Sequence, residues 1–136
     1  MPAGTAPPYQ GPAPRQEINQ QRIIRSSAAT RRAKAIHGYA CQICGLTITG
    51  PAGVRYSEGA HIKPLGRPHD GPDHDSNILC LCPNHHAMLD LGAIVINPAW
   101  EVLDVASGVV VATLSRRPEH VVDAAQIAYH HGLFQP

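Results

Sequence analysis

Two short pairs of metal-ligand residues, far apart along the chain, constrain its fold more than any other feature. Cys41 and Cys44 form a C-x2-C pair, and Cys82 and His85 form a C-x2-H pair. Zinc prefers four nitrogen or sulfur ligands, and a two-residue spacer lets both members of a pair reach one ion. The pairs therefore predict a closed, structural Zn²⁺ site. Such a site would join two distant segments, so that metal affinity contributes to folding free energy.

Two other uses of the cysteines compete with this ligand set. Cys80 could replace His85, because alternate residues of a strand point the same way. The C-x-C spacing of Cys80 and Cys82 is less usual for a zinc knuckle, so we prefer His85 and interpret Cys80 as a buried core thiol. Disulfides are the second alternative. The first fourteen residues lack the apolar core of an export signal, which favours reduced thiols in a cytoplasmic protein.

Length and composition predict one folded domain preceded by a tail. The chain has 136 residues, and residues 1–14 contain five prolines. We expect residues 1–16 to be a disordered Pro-rich tail or linker, and residues 17–136 to form the domain. A membrane helix needs roughly 18 consecutive apolar residues, and no segment approaches this, so no membrane partner is expected.

Basic residues are concentrated near the start of the expected domain, although the formal net charge is only +1. The sequence from about Glu17 to His37 contains good helix formers and is followed by Gly38, which predicts one long basic helix. Lysine and arginine displace condensed counterions from DNA, so this helix is a candidate phosphate-binding surface. A merely solvated helix face is the alternative. The basic residues are Arg15, Arg22, Arg25, Arg31, Arg32 and Lys34.

The remaining patterns predict an α+β fold. A strand is expected in VRYSEGAHI, and the apolar run NILCLC predicts a buried strand. PNHHAMLDLG predicts a short helix with proline in its first turn and glycine at its end. AIVI and EVLDVASGVVVATLS predict a strand and a hairpin, and EHVVDAAQIAYHHG predicts a closing helix.

Histidines outside the zinc pairs suggest a second site. His86 and Asp90 are four residues apart, on one face of the short helix, where they could bind a divalent ion. The alternative is a local His-Asp contact on a solvated face. The late histidines have no partner in the sequence and are interpreted as packing or surface residues, namely His120, His130 and His131.

A hairpin would bring two further polar residues beside this short helix. His61 ends the first strand and Asn77 opens the second. A neutral imidazole could remove a proton from water, and the amide could hold the hairpin loop or the imidazole by hydrogen bonds. A satisfied core histidine and a turn asparagine are the alternative interpretation.

The stretches AHIKP, NILCLC and CPNHH resemble the HNH endonucleases. CQICG, EGAHIKPLGRPHDGPD, NILCLCPNHHAMLDLGAI and the late YHH resemble, more narrowly, the zinc-containing HNH domain that follows SRA/YDG domains in modification-dependent restriction endonucleases. The likeness covers roughly residues 22–131. It implies a ββα-metal (HNH) core with a structural zinc knuckle. The sequence patterns add a long basic N-terminal helix, a small C-terminal β addition and a closing helix to this core.

The resemblance also implies residue roles. His61 matches the general base, Asn77 the asparagine that orients the hairpin loop, and His86 a ligand of the catalytic metal. Asp90 falls where some relatives place another ligand. Many relatives carry a ligand where this chain has Ala60, and Glu58 is a less favoured substitute for that ligand. The catalytic ion would be Mg²⁺ or another divalent ion such as Mn²⁺, Co²⁺ or Ni²⁺.

The implied function is hydrolysis of phosphodiester bonds in double-stranded DNA, in restriction or a related defence. Cleavage of both strands would call for a homodimer. A non-catalytic zinc module that binds nucleic acid or protein is the main alternative, and a nuclease acting on RNA is a further one. The residues expected to contact the phosphate backbone are Arg22, Arg25, Arg31, Arg32, Lys34, Lys63 and Arg67.

Overall fold

The computed structural model describes residues 27–135. The expected tail over residues 1–16 lies outside the described residues, as do Arg15, Arg22 and Arg25 of the basic segment. Among the described residues, no helix has the length and apolar character that crossing a membrane requires.

The first described helix, α1, spans Ala28–Ile36 and begins later than expected. Ser27 has an extended backbone (φ −60°, ψ 155°), and its side chain accepts a hydrogen bond from the Thr30 N–H at 3.2 Å. This is an N-cap, which marks a helix start and cannot lie inside a continuous helix. The prediction of one helix from Glu17 to His37 is therefore wrong at this point.

The helix α1 lies close to the central strands because its buried face is made of small side chains. Ala29, Thr30 and Ala33 are buried, whereas Arg31 and Arg32 on the opposite face are exposed. The cysteine knuckle follows. It leads into the short antiparallel strands β1 (Ile48–Thr49) and β2 (Arg55–Tyr56), which a 3₁₀ turn connects.

Two antiparallel strands and a helix form the centre of the molecule. Strand β3 (Glu58–His61) pairs with β4 (Ile78–Leu81), with His61 opposite Ile78. Helix α2 (Pro83–Leu91) follows directly and ends at Gly92, which has the left-handed φ of 76° that favours glycine at this position. The expected ββα arrangement is confirmed.

The C-terminal part adds a small sheet and a helix. Strands β5 (Ile94–Ile96), β6 (Glu101–Asp104) and β7 (Val110–Thr113) form an antiparallel sheet. Helix α3 (Ala124–Phe134) begins after its N-cap Asp123 and packs against β5. It starts later than the sequence pattern suggested and continues beyond Gly132.

One apolar core joins these elements and confirms the α+β class. It is continuous from the cysteine knuckle through the ββα unit to the C-terminal sheet and α3. The ββα unit, which carries the expected site residues, therefore shares its core with the cysteine knuckle and with the C-terminal sheet and α3. The fully buried aliphatic side chains at its centre include Leu79, Leu81, Leu89, Ile94, Ile96 and Val102.

Candidate functional site

The structure brings the predicted zinc ligands together in a group that we call the cysteine cluster: Cys41, Cys44, Cys82 and His85. Their four donor atoms all lie within 4.8 Å of one another. The Sγ atoms of Cys44 and Cys82 are 3.8 Å apart, and Cys41 Sγ lies 3.7 Å from His85 Nδ1. Zinc–sulfur bonds of about 2.3 Å in a tetrahedron place two sulfurs about 3.8 Å apart. The cluster could therefore hold a metal ion such as zinc.

Cys80 has a different environment from the cluster cysteines. Its side chain is fully buried, and its thiol donates to Ser57 Oγ at 3.2 Å. Burial raises the pKa of the Cys80 thiol, so the group stays protonated. Gln42, which sequence reasoning missed, connects this strand to the knuckle because its side-chain oxygen accepts a hydrogen bond from the Cys80 N–H at 2.8 Å.

The expected base and metal ligands line one cleft of about 340 Å³, which we call the histidine cleft. His61 reaches it from the end of β3, and His86 and Asp90 reach it from one face of α2. The hairpin and the i, i+4 spacing thus converge as the sequence suggested. The lining residues are His61, Ile62, Pro64, Leu65, His86, Leu89, Asp90, His130 and Phe134.

The imidazole of His86 lies between two carboxylates. Its Nδ1 is 2.8 Å from Glu58 Oε1, and its Nε2 is 3.2 Å from Asp90 Oδ2. The hydrogen bond to Asp90 and, after it, the bond to Glu58 raise the pKa of His86, although burial opposes this. Glu58 also accepts a hydrogen bond from the Tyr56 hydroxyl, which helps to fix its carboxylate beside the His86 ring.

The imidazole of His61 is held by a residue that sequence reasoning missed. Its Nε2 lies 2.8 Å from Asp73 Oδ1, in the loop between β3 and β4. An ionised carboxylate only accepts hydrogen bonds, so this contact favours the tautomer with the proton on Nε2. The side chain of His61 is only 11% exposed.

Asn77 holds both arms of the β3–β4 loop. Its Oδ1 accepts from the Lys63 N–H at 2.8 Å, and its Nδ2 donates to the carbonyl oxygens of Lys63 at 2.9 Å and Pro72 at 3.0 Å. The side chain is fully buried. These contacts provide a physical basis for the loop-orienting role that the resemblance implied.

The expected backbone-contacting residues have diverse surroundings. Arg31 and Arg67 are exposed, whereas Lys34 is half-buried. Arg32 forms an ion pair with Asp75 at 3.3 Å, and Lys63 Nζ lies 4.6 Å from the centre of the Tyr129 ring. Arg22 and Arg25 lie outside the described residues.

Helix α3 forms one wall of the histidine cleft, which was not expected of a closing helix. His130 is buried, as the packing interpretation held, yet it lines the cleft and its Nε2 donates to the Leu89 carbonyl oxygen at 2.9 Å. Tyr129 contacts the β3–β4 loop through a 2.7 Å hydrogen bond to His69 Nδ1. In the sequence, only the late YHH stretch pointed to a role for this helix at the site, and no contact of that stretch with the site was predicted.

The comparisons with known proteins agree with this geometry. Residues 41–97 match the family model described as HNH endonuclease. The solved structure titled "Modification dependent TagI restriction endonuclease" is 43% identical, with a TM-score of 0.78. That match covers 82% of this chain and 39% of the other, so the chain spans about two fifths of that structure. No curated protein matches the chain.

The matched region contains the cysteine cluster, the β3–β4 hairpin and α2, which together form the ββα unit. The solved structure extends the similarity over most of the remaining chain. From this agreement of family model, fold and sequence identity, we conclude that the chain belongs to the HNH endonuclease family.

Proposed function

We propose that the chain is a metal-dependent endonuclease that hydrolyses phosphodiester bonds in double-stranded DNA and acts in restriction or a related defence. The observation that carries the proposal is the histidine cleft, where a carboxylate-held imidazole, His61, shares one cavity with the His86–Asp90 pair. A proton acceptor beside a divalent ion site is the arrangement that metal-assisted hydrolysis requires.

The chemistry of His86 and Asp90 fits a divalent ion. Their Nε2 and Oδ2 atoms are 3.2 Å apart. Two ligands about 2.1 Å from one octahedral ion lie about 3 Å apart, so little rearrangement is needed. Mg²⁺ is the default, and imidazole ligation also suits Mn²⁺, Co²⁺ or Ni²⁺. When bound, such an ion would neutralise charge that grows on the phosphate oxygens.

Glu58 supports this site as a positioning group. Metal-binding histidines usually donate their second ring N–H to a carboxylate, which orients the ring. The contact between His86 Nδ1 and Glu58 Oε1 matches this pattern. We therefore propose that Glu58 orients His86, and that Ala60, which is fully buried, contributes no ligand.

His61 acts as the general base in this proposal. Its Nδ1 accepts a proton from a water molecule whose oxygen attacks the phosphorus. The new bond joins that oxygen to phosphorus, the bond from phosphorus to the 3′ oxygen breaks, and the leaving oxygen takes a proton from solvent. Asn77 contributes by holding the loop beside His61.

We propose that the cysteine cluster binds Zn²⁺ and that this ion is structural. Four protein ligands complete a tetrahedral zinc site, so no position remains for substrate. The ion would connect the knuckle that follows α1 to the start of α2. It would thereby stabilise the helix that carries His86.

We propose that the DNA backbone is contacted by basic side chains from α1, from the segment before it and from the β3–β4 loop. Arg32 would have to exchange its ion pair with Asp75 for a phosphate contact. Cleavage of both strands would use a homodimer, and reduced cysteines suit the cytoplasm. The proposed contacts are Arg22, Arg25, Arg31, Arg32, Lys34, Lys63 and Arg67.

A plasmid assay tests the nuclease proposal. Supercoiled DNA is incubated with zinc-loaded protein and Mg²⁺, Mn²⁺, Co²⁺ or Ni²⁺, alongside His61→Ala and His74→Ala. His74 is an exposed histidine of the same loop and serves as the matched control. We expect wild type and His74→Ala to nick DNA, and His61→Ala to lose at least about 100-fold in rate.

Equal cutting by His61→Ala would contradict the assigned base. If wild type binds the DNA but cuts with none of the four ions, the chain is a non-catalytic zinc module. Faster cutting of RNA than of duplex DNA would identify a different substrate.

A further inference from the structure

The contact between His61 and Asp73 joins a largely buried imidazole to a carboxylate in the β3–β4 loop. Asp73 is 41% exposed, yet its Oδ1 lies 2.8 Å from His61 Nε2. The same Oδ1 accepts a hydrogen bond from Ser27 Oγ at 3.2 Å. Ser27 caps α1, so the carboxylate is held between the start of this helix and the end of β3.

Hydrogen bonds fix the backbone of the β3–β4 loop on the N-terminal side of Asp73. Asn77 Nδ2 donates to the carbonyl oxygen of Pro72, the residue immediately before Asp73. Gly71 N–H donates to the Pro64 carbonyl oxygen at 2.7 Å, which closes the loop on itself. A buried amide and a short backbone bond therefore set the path of the chain next to Asp73.

Two basic residues of the described part of the chain have partners other than Asp73. Arg32 pairs with Asp75, and Lys63 Nζ lies over the Tyr129 ring. Among residues 27–135, the hydrogen bonds of Asp73 join it to the imidazole of His61 and the hydroxyl of Ser27. A carboxylate that accepts from one nitrogen of an imidazole imposes the tautomer in which the other nitrogen has the lone pair.

We propose that Asp73 is a positioning residue that holds His61 in the Nε2–H tautomer. The inference rests on the proposed function, in which His61 is the base. After His61 Nδ1 takes the proton of the attacking water, the ring carries N–H groups on both nitrogens. Asp73 then faces the new positive charge and stabilises it.

Nitrogen-15 NMR of the imidazole rings tests the tautomer without any need for cleavage. Zinc-loaded wild type, Asp73→Asn and Asp70→Asn are compared at a pH where His61 is neutral. Asp70 lies in the same loop and supplies the matched control, because the substitution removes the same charge. We expect a protonated Nε2 in wild type and in Asp70→Asn. Asp73→Asn should give a mixture, because an amide can donate or accept.

A wild-type His61 protonated on Nδ1 would overturn the proposal. So would an unchanged tautomer in Asp73→Asn. Because the measurement reads the ring directly, it remains decisive even if the protein cuts no DNA. Failure of the nuclease proposal and failure of this inference are therefore distinguishable.

Kinetics then test whether Asp73 acts through His61. In single-turnover nicking, Asp73→Asn should lower the maximal rate about 100-fold and leave the half-saturating DNA concentration within twofold. Zinc content and melting temperature should stay close to wild type. Adding Asp73→Asn to His61→Ala should slow the residual rate no further, because the two residues form one unit. An equal further loss in the double variant would show that Asp73 acts elsewhere.

Discussion

At the scale of single residues, each expected catalytic imidazole is fixed by a carboxylate distant in sequence. Glu58 holds His86, and Asp73 holds His61. The sequence indicated both histidines through their spacing and family resemblance. It did not indicate which carboxylates would bond to these histidines, because the hydrogen bonds form only after β3 pairs with β4 and the loop between them folds back. The sequence pattern suggested Glu58 only as a substitute metal ligand, and it assigned no role to Asp73.

Cysteine substitutions separate the cluster from the core thiol. On the proposal that the cysteine cluster binds Zn²⁺, Cys41→Ser should bind no zinc and lose most of the stability, because apparent zinc binding free energies of about 10–16 kcal/mol contribute to folding. Cys80→Ser, the matched control, should retain about one zinc per chain. Its hydroxyl would still have Ser57 as a partner. A colorimetric zinc assay and thermal unfolding measure both effects. Zinc loss from Cys80→Ser alone would contradict the ligand set.

At the scale of elements, close packing and capping decide how α1 meets the hairpin. Sequence patterns located the helices and strands β3 to β7, because helix caps, glycine ends and apolar runs are local signals. They did not indicate β1, and the single strand expected in VRYSEGAHI is divided into β2 and β3. The start of α1 was mispredicted because helix propensity continues through Ser27, whereas its side chain caps the following turn. The cap also places Ser27 beside Asp73.

A glycine on β3 permits the approach of α1. A Cβ at Gly59 would overlap the Thr30 side chain, whereas a Cβ at Gly66 would meet open space. Gly59→Ala should therefore lower the free energy of unfolding by about 1–3 kcal/mol. Gly66→Ala should change it by less than about 0.5 kcal/mol. Chemical denaturation of both variants provides the measurement, and equal stabilities would disprove the packing argument.

Two buried histidines connect the end of α1 to the segment before α3. His37 Nε2 lies 2.7 Å from His120 Nδ1, and His120 Nε2 donates to the Asp75 carbonyl oxygen at 2.7 Å. Burial, then the neighbouring His120 and Arg117, lower the pKa of His37 to about 4.

This pair predicts acid destabilisation with a defined direction. The unfolded chain binds a proton at His37 near pH 6.5, whereas the folded chain does so only near pH 4. The contribution of neutral His37 to the free energy of unfolding is therefore fully present above pH 6.5. It is lost as the pH falls towards 4, which lowers the free energy of unfolding by up to about 3 kcal/mol. His37→Gln should lack this part of the pH dependence. Denaturation curves between pH 7 and 4.5 compare the two proteins, and parallel curves would refute the assignment.

At the scale of the whole molecule, charge distribution matters more than net charge. The formal net charge is +1, yet α1 presents Arg31 and Arg32 on its exposed face. The fold places this helix beside the hairpin that carries His61. Two exposed arginines therefore lie on a helix that packs against the strand carrying His61. The small net charge of the whole chain does not reveal this local concentration of positive charge.

A salt titration tests the proposed backbone contact. Arg31→Ala should weaken binding to duplex DNA several-fold, uniformly across sequences, and reduce the salt slope by about 0.9. Arg116→Ala is the control, because Arg116 stacks on Trp100, its guanidinium carbon 4.3 Å from the ring centre, outside the proposed contact set. Fluorescence anisotropy at several salt concentrations gives both slopes. Equal slopes for Arg31→Ala and wild type would remove Arg31 from the interface.

The sequence by itself determined the ligand pairs, the ββα order and the two histidines, because these depend on spacings within a turn, a strand or a helix. Only the tertiary structure decided which groups orient those histidines and what closes the cleft. The partners Asp73 and Glu58 and the wall provided by His130 all come from other segments of the chain. Their positions depend on how the buried Asn77 holds a loop and how α3 packs, and no local pattern encodes such long-range contacts.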